Sequence, residues 1–291
     1  MADSQMHVRF WGVRGSTPTP LAENLKFGGN TSCVEVCTPT GESLIFDAGS
    51  GIRALGARLL QDAKGEPINS NIFLTHFHWD HIQGLPFFAP IYAPNNKVTF
   101  RSGRTGRGLQ ETLEGQMAQP YFPVDFAQVG AHRTFEEIEG GKPLDICGAS
   151  VTPFALNHPQ GASGYRVTCG KAVVVYATDF EHGNAELDEL LLINAQDADV
   201  LICDTQYTPQ EYETHKNWGH STWLQATEIA KKAGAKQLVL FHHDPMHNDH
   251  TMAKIQTEAR HEFRHTAAAW EGLTASISTH ATVAVQTTGA A

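Results

Sequence analysis

The chain has 291 residues, a formal charge of −10, 41% apolar residues and 18% charged residues. That balance excludes a disordered chain and leaves length for a full core, so one domain spanning 1–291 is expected. The negative charge repels nucleic acid and anionic membranes, so a large nucleic acid is not favoured and a small anionic substrate is expected instead. No segment approaches the ~20 apolar residues of a membrane span and no apolar signal segment leads the chain, so a cytoplasmic protein without membrane partners is expected.

In chain order, strand-like runs come first, at 7–11, 32–38 and 43–47. The turn Pro39-Thr40-Gly41-Glu42 joins the last two as a hairpin. Asp47-Ala48-Gly49-Ser50-Gly51 leads into an amphipathic helix over 52–61, and a short strand follows at 71–74. Residues 84–94 are aromatic and carry internal prolines, which predicts a loop or lid. A short helix is predicted over 109–117, then strands at 150–156, 165–169, 173–177 and 200–204. Ser221 reads as the N-cap of a helix running to Ala233 and closed by Gly234. A strand at 237–241 and a mainly helical stretch over 250–270 complete the reading. Strands in both halves with helices between them predict two sheets with helices outside. The five cysteines form no CxxC pair and are odd in number, so free thiols are expected rather than a disulfide framework.

The segment Leu74-Thr75-His76-Phe77-His78-Trp79-Asp80-His81 sets three imidazoles and one carboxylate directly after a strand. Imidazole nitrogen and carboxylate oxygen are the usual ligands of zinc and its first-row neighbours. His158 and Asp179 each follow a strand-like run and precede a turn. His242 and His243 are adjacent and chemistry does not choose between them; the position directly after a strand favours His242. These groups suit two ions better than one. His76, His78 and His158 can hold the first, Asp80, His81 and His242 the second, with Asp179 between them. Two divalent transition-metal ions are therefore expected, zinc first, with manganese or iron compatible. Such a pair suits hydrolysis by a metal-activated water. The other histidines, including His132, His182 and His215, show no comparable pattern.

From Phe10-Trp11-Gly12 to the His242 strand, the chain resembles the metallo-β-lactamase superfamily. The resemblance implies a four-layer αββα sandwich with a dinuclear site on one sheet edge. It also implies His76, His78, Asp80, His81, His158, Asp179 and His242 as ligands. An aspartate at position 179 resembles the phosphodiesterase branches and disfavours β-lactam hydrolysis. Gly219-His220-Ser221-Thr222 and Leu238-Val239-Leu240-Phe241-His242 resemble the C-terminal region of tRNA 3′-processing endonucleases, which implies His220 as a catalytic group. Neutral imidazole just before a helix can exchange a proton near pH 7. The chain departs from those enzymes in His243-Asp244-Pro245 and in showing no long basic arm. The runs 12–18 and 28–32 look more like small-substrate relatives, including cyclic-nucleotide phosphodiesterases.

Asp47 and Asp204 each end a strand and are expected to orient a histidine. Arg14 is expected to grip a phosphate with its guanidinium fork. The basic run 101–107 reads as a solvated turn. Trp79 and Phe77 are expected to pack beside the metal motif, and Phe87, Phe88 and Tyr92 to form a pocket wall or a homodimer face. The preferred expectation is a phosphodiesterase acting on a small phosphodiester such as a cyclic nucleotide, with Asp80 and His220 as catalytic groups. The alternatives are an RNA endonuclease of the tRNA 3′-processing type, a lactone or ester hydrolase, and a non-catalytic metalloprotein.

Overall fold

The computed structural model describes residues 5–103, 108–280 and the backbone of 286–288. The first sheet is built from β1 Gln5–Gly12, β2 Cys33–Cys37, β3 Ser43–Phe46, β4 Asn69–Leu74, β5 Lys97–Gly103 and β6 His132–Ile138. The second takes β7 Leu144–Ile146, β8 Ala149–Leu156, β9 Ala162–Cys169, β10 Ala172–Ala177, β11 Val200–Asp204, β12 Leu238–Phe241 and β13 Thr266–Ala268. β14 Thr274–Ser278 and β15 Gln286–Thr288 return to the first sheet. Strand order is β15-β14-β1-β2-β3-β4-β5-β6 in one and β13-β12-β11-β10-β9-β8-β7 in the other. The helices are α1 Ile52–Ala63, α2 Trp79–Ile82, α3 Leu109–Gln116, α4 Ala185–Ala195, α5 Pro209–Tyr212, α6 Trp223–Ala233 and α7 Asp249–Glu262. None among the described residues is long and apolar enough to cross a membrane.

The layers follow from alternation along strands buried on both faces. In β10, Val174 and Tyr176 enter the cluster between the sheets with Phe10, Phe46, Phe73, Tyr165 and Phe241. Val173, Val175 and Ala177 face the other way, onto Leu191 of α4, Ala226 and Ile229 of α6 and Ile255 of α7. The outer face of the first sheet, with Ile45, Ile72 and Phe100, packs against Ile52 and Leu55 of α1 and Leu113 of α3. The fold is the expected four-layer αββα sandwich.

The expected hairpin forms, with Val34 opposite Phe46. Beyond it the chain crosses over, so that β3 to β6 run parallel, as do β10 to β13. The carboxyl ends of parallel strands gather loops at one edge, where ligands bind in such sheets.

Several elements differ from expectation. The N-cap of α6 is Thr222, whose side chain accepts from the Gln225 N–H; Ser221 lies one residue too early and is fully buried. The helix expected over 250–270 stops at Glu262, and β13 follows. Arg101 lies within β5, bound to Glu136 and Asn71, and not in a solvated turn; 104–107 lie outside the described residues. The five cysteines are free.

Candidate metal centre

The loop after β4 carries His76 and His78 and then enters α2, which presents Asp80 and His81. The second sheet supplies His158 after β8, Asp179 after β10, Asp204 at the end of β11, His220 ahead of α6 and His242 directly after β12. Asp47, Asp179 and His242 all have left-handed backbone, with φ of 63°, 57° and 62°. A non-glycine residue pays about 1–3 kcal/mol for such a conformation. Here it turns the chain sharply off a strand and aims the side chain along the sheet edge.

Three donor groups result. The first is His76, His78 and His158; the second is Asp80, His81, Asp179 and His242; a third, Asp179, Asp204, His220 and His242, overlaps the second, and within each the ligand atoms lie within 4.8 Å of one another. Asp179 faces the first two. Its Oδ1 lies 3.8 Å from His76 Nε2 and 3.9 Å from His158 Nε2. Its Oδ2 lies 3.2 Å from His81 Nε2 and 3.4 Å from His242 Nε2. Asp80 Oδ2 is 3.2 Å from His81 Nε2 and 3.1 Å from His242 Nε2. Asp80 is fixed in turn by the Ser16 N–H at 2.8 Å.

The imidazoles are oriented from behind, which sets the nitrogen left facing the centre. His81 Nδ1 donates to Asp47 Oδ2 at 2.8 Å. His158 Nδ1 donates to the Gly219 carbonyl at 2.8 Å. His242 Nδ1 donates to Gln206 Oε1 at 3.0 Å. His76 Nδ1 meets Thr75 Oγ1 at 3.0 Å, and the Thr75 hydroxyl lies 3.0 Å from both oxygens of Asp47. His220 Nδ1 donates to Asp204 Oδ2 at 2.8 Å.

This donor set fits divalent cations. With Nδ1 committed, His81 and His242 turn Nε2 lone pairs toward each other at 3.3 Å. His158 Nε2 and His78 Nδ1 meet at 3.2 Å. Nitrogen lone pairs that close, beside two buried carboxylates, repel unless a cation or proton lies among them. His76 Nε2 is buried without a hydrogen-bond partner, although it faces Asp179. Burial holds His76, His78 and His158 below the usual imidazole range, leaving lone pairs free for coordination. Burial also disfavours a charged His242, but the Asp179, Asp80 and Asp204 carboxylates outweigh it and push this imidazole up to about 9. His81 is raised for the same reason, against its burial. Asp80 and Asp179 are held well below the carboxylate range because surrounding imidazoles outweigh their desolvation.

His243 is the wrong neighbour for the centre. Its Nε2 donates to the Ala269 carbonyl at 2.8 Å, and burial with the nearby Arg14 pushes it down to about 3.

Two glycines are required by close approach. A side chain at Gly219, where φ is +87°, would collide with Pro159 and His158. One at Gly15 would collide with the His242 ring.

The structure brings together the expected ligands, both orienting carboxylates and His220. It does not bring Arg14. That side chain is fully buried, its Nε donating to Gly28 and its Nη1 to the Asp244 and His247 carbonyls. Tied to main-chain oxygens through Nε and Nη1, with Nη2 buried and unpartnered, the guanidinium braces the loops from inside the fold and is closed to solvent. Trp79 also departs from expectation, 63% exposed rather than packed beside the motif. Phe88 is core, while Phe87 and Tyr92 stay partly in solvent.

Sequence reasoning missed a supporting tier. Tyr176 OH donates to Asp47 at 2.8 Å across the two sheets. Glu181 accepts from the Asn217 N–H at 2.7 Å, the Gly219 N–H at 2.9 Å and Tyr212 OH at 2.7 Å. It thereby clamps the turn whose carbonyl orients His158 and whose next residue is His220. Thr75 and Gln206 are marked in the sequence only by lying beside His76 and two residues after Asp204.

Residues 43–243 match the family model described as a beta-lactamase superfamily domain. A curated relative, ribonuclease Z of Exiguobacterium sibiricum, is 27% identical over 234 residues, 67% of this chain and 77% of its own length. Among solved structures, the metallo-beta-lactamase fold protein YhfI from Bacillus subtilis aligns with a TM-score of 0.70 at 20% identity, covering 94% of this chain and 99% of that one. The short form of human tRNase Z aligns at 0.63 and 20% identity, covering 92% and 98%. The ribonuclease relatives overturn the expectation that a large nucleic acid is disfavoured. Whole-chain charge is a poor guide to the potential in one cleft, above all where bound cations dominate it.

Proposed function

Because the chain belongs to the metallo-β-lactamase superfamily, in the branch of tRNA 3′-processing enzymes and related phosphodiesterases, and is a metal-dependent hydrolase, we propose that it is a dinuclear endoribonuclease of the tRNA 3′-processing type. The observation that carries the reading is the Asp204–His220 pair set beside a carboxylate facing the first two donor groups: His220 Nδ1 lies 3.8 Å from Asp179 Oδ1. That is the arrangement needed to hold a phosphodiester and hand a proton to one of its ester oxygens.

In this reading His76, His78 and His158 would hold one ion and Asp80, His81 and His242 the other, with Asp179 placed to serve both. Nitrogen and oxygen donors without thiolate suit zinc, with manganese or iron next. When bound, such a pair lowers the pKa of a water and polarises the phosphoryl oxygens. Asp80 orients the attacking water. His220, steered through Nδ1 by Asp204, gives a proton from Nε2 to the leaving oxygen as the ester bond breaks. Asp47 keeps His81 and Thr75 in register behind the ligands. We read 1–291 as one hydrolase domain, since both sheets share a single interior cluster.

RNA thus replaces the small cyclic phosphodiester as the first substrate to test. The metal-loaded chain should be assayed side by side on precursor tRNA with a 3′ trailer, a cyclic mononucleotide, a lactone and a β-lactam. The highest kcat/KM is expected for precursor tRNA, cut near the end of its acceptor stem. Preference for the cyclic mononucleotide with the precursor left intact would overturn the ribonuclease assignment, and turnover of the lactone alone would overturn phosphodiester chemistry.

A further inference from the structure

One wall of the metal centre opens into a cavity that the chemistry above does not use. It holds about 750 Å³ and is lined by His158, Glu181, His182, Tyr212, Lys216 and Asn217, among others. Ligand sites commonly span roughly 300–1,000 Å³. We propose that this cavity is the subsite for the nucleoside attached to the scissile phosphate. The assignment rests on the phosphodiesterase reading and adds to it where one substituent of the phosphate lies and which side chains read it.

The position is the first argument. His158 belongs both to the first donor group and to the cavity wall. Gly219, on the same wall, precedes His220 in the chain. A phosphate held by the donor groups therefore directs one of its substituents past His158 into this space.

The lining is the second argument. The His182 and Tyr212 rings lie 4.6 Å apart at 38° and give the cavity an aromatic side. Unpaired bases are held by stacking on such surfaces and by hydrogen bonds at their edges. His182 Nδ1 is engaged with Ser221 Oγ at 3.0 Å, leaving Nε2 for another partner. Asn157 Nδ2 donates to the Glu181 carbonyl at 2.7 Å, leaving its side-chain oxygen for a base edge. Lys216 pairs with Glu213 at 2.8 Å on the exposed surface and lies 6.0 Å from the Tyr212 ring centroid. Exposed pairs of that kind exchange partners at little cost, so Lys216 can turn to a sugar hydroxyl or base edge of the nucleoside. Amide, imidazole, aromatic face and cation together match a nucleotide and not an apolar ligand.

The rigidity of the wall is the third. Glu181 fixes the Asn217 and Gly219 N–H groups, so the cavity is shaped before substrate arrives. Preformed walls reduce the ordering cost of binding.

The test uses the full metal-loaded chain and two substrates sharing one leaving group, a nucleoside 5′-p-nitrophenyl phosphate and bis(p-nitrophenyl) phosphate. His182→Ala and Lys216→Ala are each expected to raise KM for the nucleoside ester by roughly tenfold. The change for bis(p-nitrophenyl) phosphate should be much smaller. Calorimetric titration with uridine and adenosine 5′-monophosphates should show the same weakening, whereas inorganic phosphate should bind both variants as it binds the wild type. Equal KM changes for both esters would overturn the subsite by showing a general disturbance of the centre. Unchanged nucleotide affinity in both variants would overturn it whatever the RNA assays give. Intact nucleotide binding in a wild type that leaves precursor tRNA uncut would instead remove the ribonuclease reading and leave the cavity assigned.

Discussion

On the first sheet, one loop after β4 delivers His76, His78, Asp80 and His81. On the second, His158, Asp179, His220 and His242 come from four separate connections. Each half is organised by one fully buried aspartate, and the two aspartates work differently. Asp47 accepts mainly from side chains: the Thr75 hydroxyl, His81 Nδ1 and Tyr176 OH, with one main-chain N–H from Thr75. Asp204 accepts from the main-chain N–H groups of Asp179, Gln206 and Ser221, and from His220 Nδ1. Where covalent continuity already holds the donors together, a carboxylate only orients them. Where the donors arrive separately, a carboxylate must join the segments.

That contrast is broken or sharpened first by removing each hub. Asp204→Ala leaves three buried main-chain donors that cannot rotate toward water. Breaking a buried charged pairing costs about 3–5 kcal/mol, and Asp204→Ala is expected at the top of that range in urea unfolding. Asp47→Ala is expected to cost less, because Thr75 and Tyr176 can repack their hydroxyls. Equal losses, or a larger loss for Asp47→Ala, would remove the distinction between orienting and joining.

The next effect is on rate. His220→Ala should lower kcat by ~10²–10⁴-fold, the usual range for acid–base assistance, with metal content unchanged by elemental analysis. His76→Ala should lose metal and activity together. Loss of ions from the His220 variant would make this imidazole a ligand, and the second half would then hold four metal donors, His158, Asp179, His220 and His242.

Metal removal ranks third. Chelation leaves His81 and His242 facing at 3.3 Å and His78 and His158 at 3.2 Å without the cations that would hold them together. Tm should fall; at free metal about 100-fold above Kd the loss is about 2.7 kcal/mol. Hydrogen exchange should quicken more at Asp179 and Gly219, on the dispersed side, than through 76–81. Uniform quickening would argue that both halves depend equally on the ions.

The same contrast explains what was legible in the sequence. Four donors in six positions after an apolar run can be read directly, and His158, Asp179 and His242 each follow a strand-like run, whereas His220 rests on the family resemblance. The carboxylates behind them end strands or follow them directly, and each accepts from a histidine Nδ1, Asp47 from His81 and Asp204 from His220. The rest depends on contacts made by the fold. The Gly219 carbonyl that steers His158 is main chain and leaves no residue signature. Arg14 looked like a phosphate ligand because its type suits one; its role came from burial among carbonyls 230 and 233 residues away. α4 was missed although Asn184 caps it and Glu186 and Asp188 sit in its first turn, a usable start signal. Its apolar run Leu190-Leu191-Leu192 blurs the helical period.

The smallest effect concerns Glu181, which serves the dispersed half as a second clamp. Burial raises a carboxyl pKa, but the Asn217, Tyr212 and Gly219 donors outweigh it and hold Glu181 below the usual glutamate range. A depressed pKa means that the clamp contributes above the ordinary glutamate value and is lost as pH falls through the folded-state value. Glu181→Gln keeps the shape but offers an NH₂ where one oxygen stood, so it cannot accept from both 217 and 219. Losing one such bond costs about 1 kcal/mol, and kcat should fall several-fold with KM for bis(p-nitrophenyl) phosphate little changed. The structural readout is hydrogen exchange at Gly219: in the wild type protection should drop as pH falls below the glutamate range, after correction for the intrinsic rate. In the variant, protection should be low throughout, with no such step. A variant with wild-type protection and rate would mean that the 217–219 turn stands without its clamp, and that Asp204 alone joins the dispersed half.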